Sequence, residues 1–271
     1  MKKFMIIFSM GAAIAALTSC SSKSSDVTEF EIREILKSTS KSYELKQSDG
    51  STAYLTISAS AQWPEKLGNA DLINLQDSII GLYKVKDGYN INEALTAYVD
   101  NTSIIEGADI KKVDSVPAST ADTFCYDIKL DTRITELTES TVTYEASAYS
   151  FTGGAHPNWA TFPFTYDLAS GKVIDKAWLF GTNETTDTAL LSVIKDGLLA
   201  KLGQQTYDEL YSDDTFPITV SNSVYLSEGN IIFHYNPYEI APYALGAIDL
   251  EVSPYSVSSL LTPAAKAMLI N

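Results

Sequence analysis

The chain has 271 residues, 45% of them hydrophobic, and 34 acidic against 19 basic side chains give it a formal net charge of −15. This length supports a core that needs no disulfides, and the acidic balance argues against nucleic-acid binding, because phosphate backbones attract basic surfaces. The same charge either speeds encounters with a basic partner or serves solubility alone.

The N-terminus has the pattern of a bacterial lipoprotein signal. Two lysines precede an apolar run, residues 4–17, which is too short to span a membrane, and a Leu-Thr-Ser triplet leads directly to Cys20. We therefore predict a signal peptide over residues 1–19 and lipid attachment at Cys20. Two or three acyl chains would anchor the protein stably on the extracytoplasmic side of a membrane.

Processing at Cys20 defines the predicted domain organisation. Cleavage would remove two lysines and no acid, leaving 17 basic and 34 acidic residues and a charge of −17. A Ser-rich tether over residues 20–28 should precede two α+β subdomains, 29–145 and 146–262. Serine rather than aspartate after the cysteine favours the outer membrane, where the cell has one.

The first half of the folded part reads as one strand followed by two helices. Small and apolar residues alternate with polar ones over 53–61, which predicts a half-buried strand ending at Pro64. Leucines and isoleucines at helical spacing predict an amphipathic helix over 71–84, with Asn69 or Asp71 as its N-cap, and a shorter helix over 91–99.

Three β-rich runs follow, over residues 122–136, 140–151 and 159–168, and their closeness predicts an antiparallel meander. A short strand at 172–174 and one helical turn at 176–180 come next.

The last part predicts a long helix followed by three strands. The helix covers 187–203, with capping candidates at 185–187. The strands cover 224–226, 231–235 and 248–252, and Gly229 lies in the turn joining the first two. Because helices and antiparallel strands come in blocks, the fold class is α+β, with antiparallel sheets, two main amphipathic helices and two intimately packed subdomains.

Few residues here are suited to catalysis. Once Cys20 is lipidated, Cys125 is the only thiol, and its strand-like setting predicts a small buried hydrophobic residue. Only two histidines exist, so we expect no zinc site and no other cofactor, and no Gly-x-Ser-x-Gly motif indicates a serine hydrolase. His234 lies in an apolar strand and is predicted to be a hydrogen-bonded structural residue.

Two segments stand out as candidate ligand-binding sites. Gly153, Gly154 and His156 lie in a loop between two predicted strands, where glycines permit positive φ or close approach of another backbone. This loop is either a glycine-dependent turn or a binding site.

The second segment runs from residue 236 to 243 and contains two prolines and the candidates Tyr238, Glu239 and Tyr243. Tyrosines offer a large amphipathic contact surface at low entropic cost. The segment is either a packed corner of the fold or a peptide or protein contact.

These two segments, with Asp167-Leu168, Gly171-Lys172 and Leu179-Phe180 between them, resemble the ectodomain family of the anti-sigma factor RsiV. The N-terminal non-catalytic region of the peptidoglycan deacetylase PdaC is similar, and the resemblance covers residues 40–258. It implies an extracytoplasmic α+β module that binds, with lysozyme as the ligand in RsiV and the cell wall as the setting in PdaC. The sigma-binding segment and membrane helix of RsiV and the deacetylase domain of PdaC are not expected here.

We therefore expect a lipid-anchored, non-catalytic binding protein that contacts a basic protein such as lysozyme, or peptidoglycan. One alternative is an envelope hydrolase in which His156 acts as acid or base with Glu239 as its partner, which would require both side chains in one cleft. Another is a purely structural lipoprotein with a large exposed apolar patch.

Overall fold

The computed structural model describes residues 32–84, 88–103, 105, 108–117, 124–211 and 217–270. The predicted signal peptide, the lipid attachment at Cys20 and the tether of residues 20–28 lie outside the described residues. In the described part of the chain, no helix has the length and apolar character needed to cross a membrane.

A seven-stranded sheet forms the larger layer, in the order β3-β1-β2-β4-β5-β6-β7. Its strands are β1 (Ile32–Gln47), β2 (Thr52–Leu67), β3 (Ala108–Val113), β4 (Phe124–Leu137), β5 (Thr141–Phe151), β6 (Asn158–Asp167) and β7 (Lys172–Ile174). All neighbours are antiparallel except β2 and β4, which run parallel. The predicted meander is therefore confirmed as β4, β5 and β6.

The first core lies on one face of this sheet, beneath two helices. Alternate residues of β2 from Ala53 to Ala61 are at most 1% exposed, as the period-two pattern predicted. They pack with α1 (Ile73–Leu82) and α2 (Ile91–Asp100), both of which the sequence predicted. Asn90 begins α2 with a capping box, because it exchanges hydrogen bonds with Glu93.

The second core lies between a small sheet and three helices. The sheet has the order β10-β9-β8, with β8 (Val224–Ser227), β9 (Asn230–Tyr235) and β10 (Ile248–Val252). The helices are α3 (Lys176–Phe180), α4 (Glu184–Tyr207) and α5 (Pro263–Leu269). The backbone leaves helical geometry at Gly203, with φ 75°, where the sequence predicted the long helix to end. The α+β class is confirmed.

A closed ring of hydrogen bonds joins the two sheets. Thr143 Oγ1 donates to the carbonyl of Leu226, whose N–H donates to Thr165 Oγ1, and the two threonine oxygens are 2.8 Å apart. Thr143 of β5 and Thr165 of β6 thus bond both backbone groups of Leu226 in β8. No strand of the large sheet pairs with β8. All three groups are buried, so the junction has no water to replace a lost bond.

Several local predictions need correction. Pro64 does not end β2, which continues to Leu67, because Pro64 lies beside a register shift that accommodates its missing N–H. Neither Asn69 nor Asp71 is the N-cap of α1; that position is Leu72, although Asp71 does accept a hydrogen bond from the Ile73 N–H. Helix α4 begins at Glu184 and is capped by Asn183 rather than by residues 185–187.

Cys125 is half-buried rather than buried. Alternation places it on the outer face of β4 with Asp127 and Lys129, whereas Ile128 and Leu130 face the core. Along the chain, the buried residues of the first core end at Leu168 and those of the second core begin at Ile174. The predicted boundary between subdomains, after residue 145, lies inside β5.

Candidate functional site

The loop between β5 and β6 turns on two glycines. Gly153 and Gly154 have φ values of 99° and 96°, which L side chains rarely adopt. The turn brings His156 back to the sheet end, where Nδ1–H donates to the carbonyl of Pro157 at 2.9 Å.

The segment after β9 forms a second tight turn. Tyr238 has φ 70°, an unusual conformation for a bulky residue, and its N–H donates to the carbonyl of Ala241. The Glu239 N–H donates to the Asn236 carbonyl, and the Tyr238 side chain remains 50% exposed. Strain of this kind, of order 1–3 kcal/mol, is common where a surface side chain has a binding role.

The two turns meet in a cluster of His156, Tyr238 and Tyr243, here called the aromatic cluster. The His156 and Tyr243 rings stack 3.9 Å apart with an interplanar angle of 16°, and the Tyr238 and Tyr243 rings are 5.5 Å apart. The Tyr238 hydroxyl is 3.4 Å from His156 Nε2, and the Tyr243 hydroxyl donates to the Pro157 carbonyl at 2.8 Å. Three of the sequence candidates, one on the first turn and two on the second, are therefore brought together.

Glu239 is exposed but lies outside this set of contacts. Among the described residues, no hydrogen bond or ion pair joins it to His156. Its charge instead acts on His234. His156 and Glu239, the acid–base pair of the hydrolase alternative, are thus not hydrogen-bonded to each other. The aromatic cluster offers stacked ring faces and one polar edge.

His234 occupies the seam between the sheets, as a hydrogen-bonded structural residue, which confirms the prediction for it. Its side chain is 3% exposed; Nε2 is 2.9 Å from Thr161 Oγ1 and Nδ1 is 2.6 Å from Asp249 Oδ1. Asn236 completes the seam, because its amide accepts from the Thr161 N–H and donates to the Thr161 carbonyl. Thr161 and Asp249 could not be predicted as members of this seam, because no local pattern in the sequence marks them.

This hydroxyl–imidazole–carboxylate order resembles that of a nucleophile, base and orienting acid. However, the Thr161 N–H already donates to Asn236 Oδ1, so it cannot stabilise an oxyanion beside the hydroxyl. Among the described residues, no three His, Cys, Asp or Glu side chains come together as metal ligands. The arrangement is suited to holding the sheets together.

The His234 imidazole should make stability depend on pH. Burial lowers its pKa, but the hydrogen bond and charge of Asp249 outweigh this, so its pKa lies above the ordinary 6.5. The contribution to stability is complete below pH 6.5 and is lost as pH rises through the folded-state pKa. We expect Asp249→Asn to lower the pKa of His234 and flatten this pH dependence. NMR titration of His234 in the two proteins checks it; an unchanged His234 pKa would contradict it.

A protein-family profile matches the part of the chain that forms most of the second core. Residues 179–256 match the sequence profile of a family described as a protein of unknown function, DUF3298. The match includes the Tyr238 and Tyr243 turn but not the loop that contains His156. No curated protein sequence matches the chain.

Two solved structures have a similar fold. One is a member of the DUF3298 family from Bacteroides fragilis, with 18% identity and a TM-score of 0.61 over 86% of this chain and 94% of that one. The other is a DUF3298 family protein from Pseudomonas aeruginosa, with 18% identity and a TM-score of 0.55 over 87% of this chain and 96% of that one. At this identity the likeness concerns the fold alone.

Proposed function

We propose that this protein is a lipid-anchored extracytoplasmic binding protein, of the RsiV-ectodomain type, which contacts its ligand through the aromatic cluster. The observation that carries the proposal is the meeting of His156, Tyr238 and Tyr243 at the surface, from turns 82 residues apart. Stacked, preorganised rings lose little conformational entropy on binding, and Tyr is enriched in such contacts.

Charge favours a basic protein as the ligand. The chain has a net charge of −15, and Glu239 is exposed next to Tyr238. Opposite charges raise the association rate and make binding sensitive to salt. The resemblance to the RsiV ectodomain makes a c-type lysozyme the first protein to test, and peptidoglycan fragments the second.

Calorimetry of the full chain with c-type lysozyme tests this proposal at low and at physiological salt. We expect binding that weakens with salt and is reduced at least tenfold by His156→Ala and by Tyr238→Ala, because each removes one ring of the stack. Tyr255→Ala is the matched control, since Tyr255 is 64% exposed and outside the cluster. Equal affinity for wild type and both cluster variants would refute the assignment of this surface.

Anchoring through Cys20 is a separate part of the proposal. Cys20→Ala removes the thiol that would be lipidated, so we expect the variant to leave the membrane fraction. Fractionation with detection of the acylated form checks this. A variant that stays in the membrane fraction would contradict lipid anchoring through Cys20, while Cys125→Ala, which keeps Cys20, should leave fractionation unchanged.

A further inference from the structure

Beside the aromatic cluster, the outer face of the large sheet exposes a second group of aromatic side chains. Tyr149 on β5 is the register partner of Trp159 on β6 and of Lys129 on β4. Phe151, two residues along β5, is paired in the same way with Asp127. Paired residues share a face of the sheet, and all five side chains are partly exposed. These five residues are called the sheet-face patch.

Lys129 and Asp127, the polar members of the patch, form an ion pair that uses one of the two carboxylate oxygens. Lys129 Nζ is 2.6 Å from Asp127 Oδ2 and 5.5 Å from the centre of the Tyr149 ring. Asp127 Oδ1 is shielded from solvent and has no hydrogen-bond partner among the described residues. The Asp127 side chain as a whole is 33% exposed, so its carboxylate lies within reach of a ligand at the surface.

The surroundings leave the patch open along the sheet. On β2, the register partners of Asp127 and Lys129 are Thr56 and Ser58, which are small and polar. The small sheet covers this face of β6 from Thr161 onward, and the turn at Gly246 lies beside Trp159, since a Cβ atom built on Gly246 would be 4.0 Å from the ring. The patch therefore spans three strands, β4, β5 and β6, and the small sheet bounds it on the β6 side.

We propose that the sheet-face patch binds a neutral, β-linked saccharide chain. A pyranose ring has an apolar C–H face, which suits the rings of Tyr149 and Trp159, and a rim of hydroxyls, which suits Asp127 and Lys129. β-1,4-Linked chains are extended, so successive sugars follow the row of strands, which are about 4.8 Å apart. A net charge of −15 disfavours polyanionic chains. This inference is independent of lysozyme binding.

Titration of the full chain with N-acetylglucosamine hexamer and with cellohexaose tests the proposal. Besides calorimetry, tryptophan fluorescence reports on stacking, since the chain has three tryptophans and Trp63→Phe with Trp178→Phe leaves only Trp159. We expect at least one hexamer to bind, and Trp159→Ala and Tyr149→Ala each to weaken it at least tenfold. Trp159→Phe, which keeps an aromatic face, should weaken binding less, and a hexagalacturonate should bind more weakly than the neutral chains.

Phe162→Ala is the matched control, because Phe162 is on the same strand as Trp159, faces the other side and is 47% exposed. Its affinity for the hexamers should equal that of wild type. Two results would overturn the proposal: no binding of either neutral hexamer at millimolar concentration, or affinities in Trp159→Ala and Tyr149→Ala equal to wild type. Lys129→Ala should also weaken binding. Because Lys129 is partly exposed and its substitution leaves both rings in place, a loss of affinity in this variant is not explained by misfolding.

Discussion

Phe233→Ala is expected to lower the free energy of unfolding by about 3–5 kcal/mol, as for other large-to-small substitutions of buried aromatic residues. Phe233 is 0% exposed at the centre of the second core, and its ring stacks on Phe180 at 5.9 Å with an interplanar angle of 22°. Alanine would leave a cavity between α3 and the small sheet, because the backbones of these two elements keep the neighbouring side chains from filling the space. Urea denaturation followed by circular dichroism measures the loss.

Phe162→Ala supplies the control for this measurement as well. It deletes the same atoms from a side chain that is 47% exposed, so we expect a loss below about 1 kcal/mol. Similar losses in the two variants would contradict the role of Phe233 as the centre of a packed core. Because the Tyr238 turn follows directly after β9, Phe233→Ala should also weaken any ligand binding at the aromatic cluster.

Thr165→Val is expected to cost about 2–4 kcal/mol, although valine has nearly the same shape as threonine. Thr165 is 0% exposed, and its hydroxyl accepts from the Leu226 N–H while bonding to Thr143. Valine leaves the buried Leu226 N–H without an acceptor, which costs about 1–3 kcal/mol, and removes one of the two hydrogen bonds of Thr143 Oγ1, which is worth about 0.5–1.5 kcal/mol. The loss arises from unsatisfied groups rather than from lost packing.

Thr52→Val, at an exposed position of β2, is the matched control and should change stability by less than about 0.5 kcal/mol. Urea denaturation of both variants, with hydrogen exchange of the Leu226 amide, tests the ring directly. We expect this amide to lose protection in Thr165→Val only. A protected amide in that variant would show that another acceptor can replace the threonine hydroxyl.

The elements that could be predicted from sequence have a strong local period. The meander and α2 place apolar residues at the spacing of their own backbone, and the strands of the small sheet are short runs rich in β-branched and aromatic residues. Strand β1 was missed because Lys37 and Lys41 share the core-facing side with Tyr43 and Leu45. The ion pair between Lys41 and Asp100 of α2 makes a lysine tolerable there, and this pairing is not visible in the sequence.

In the candidate site, too, the local segments could be predicted from the sequence and the contacts between them could not. His156, Tyr238 and Tyr243 were recognised because each lies in a segment dense in glycine, proline or aromatic residues, which marks turns with exposed side chains. The pairing of His156 with Glu239 is a hypothesis about the distance between side chains on two turns, whereas the contact of His156 that the structure shows is its stack on Tyr243. Local composition identifies the turns but does not say which side chain of one meets which of the other.

The sequence by itself determined the α+β class, the meander, the long helix and the two turns that contain the aromatic candidates, since each depends on neighbours a few residues apart. Only the tertiary structure decided that β2 runs parallel to β4, that Thr161, His234 and Asp249 form one seam, and that Tyr149 and Trp159 lie side by side. These contacts depend on register across strands. A shift of one residue would turn every side chain to the other face, and no local pattern encodes that register.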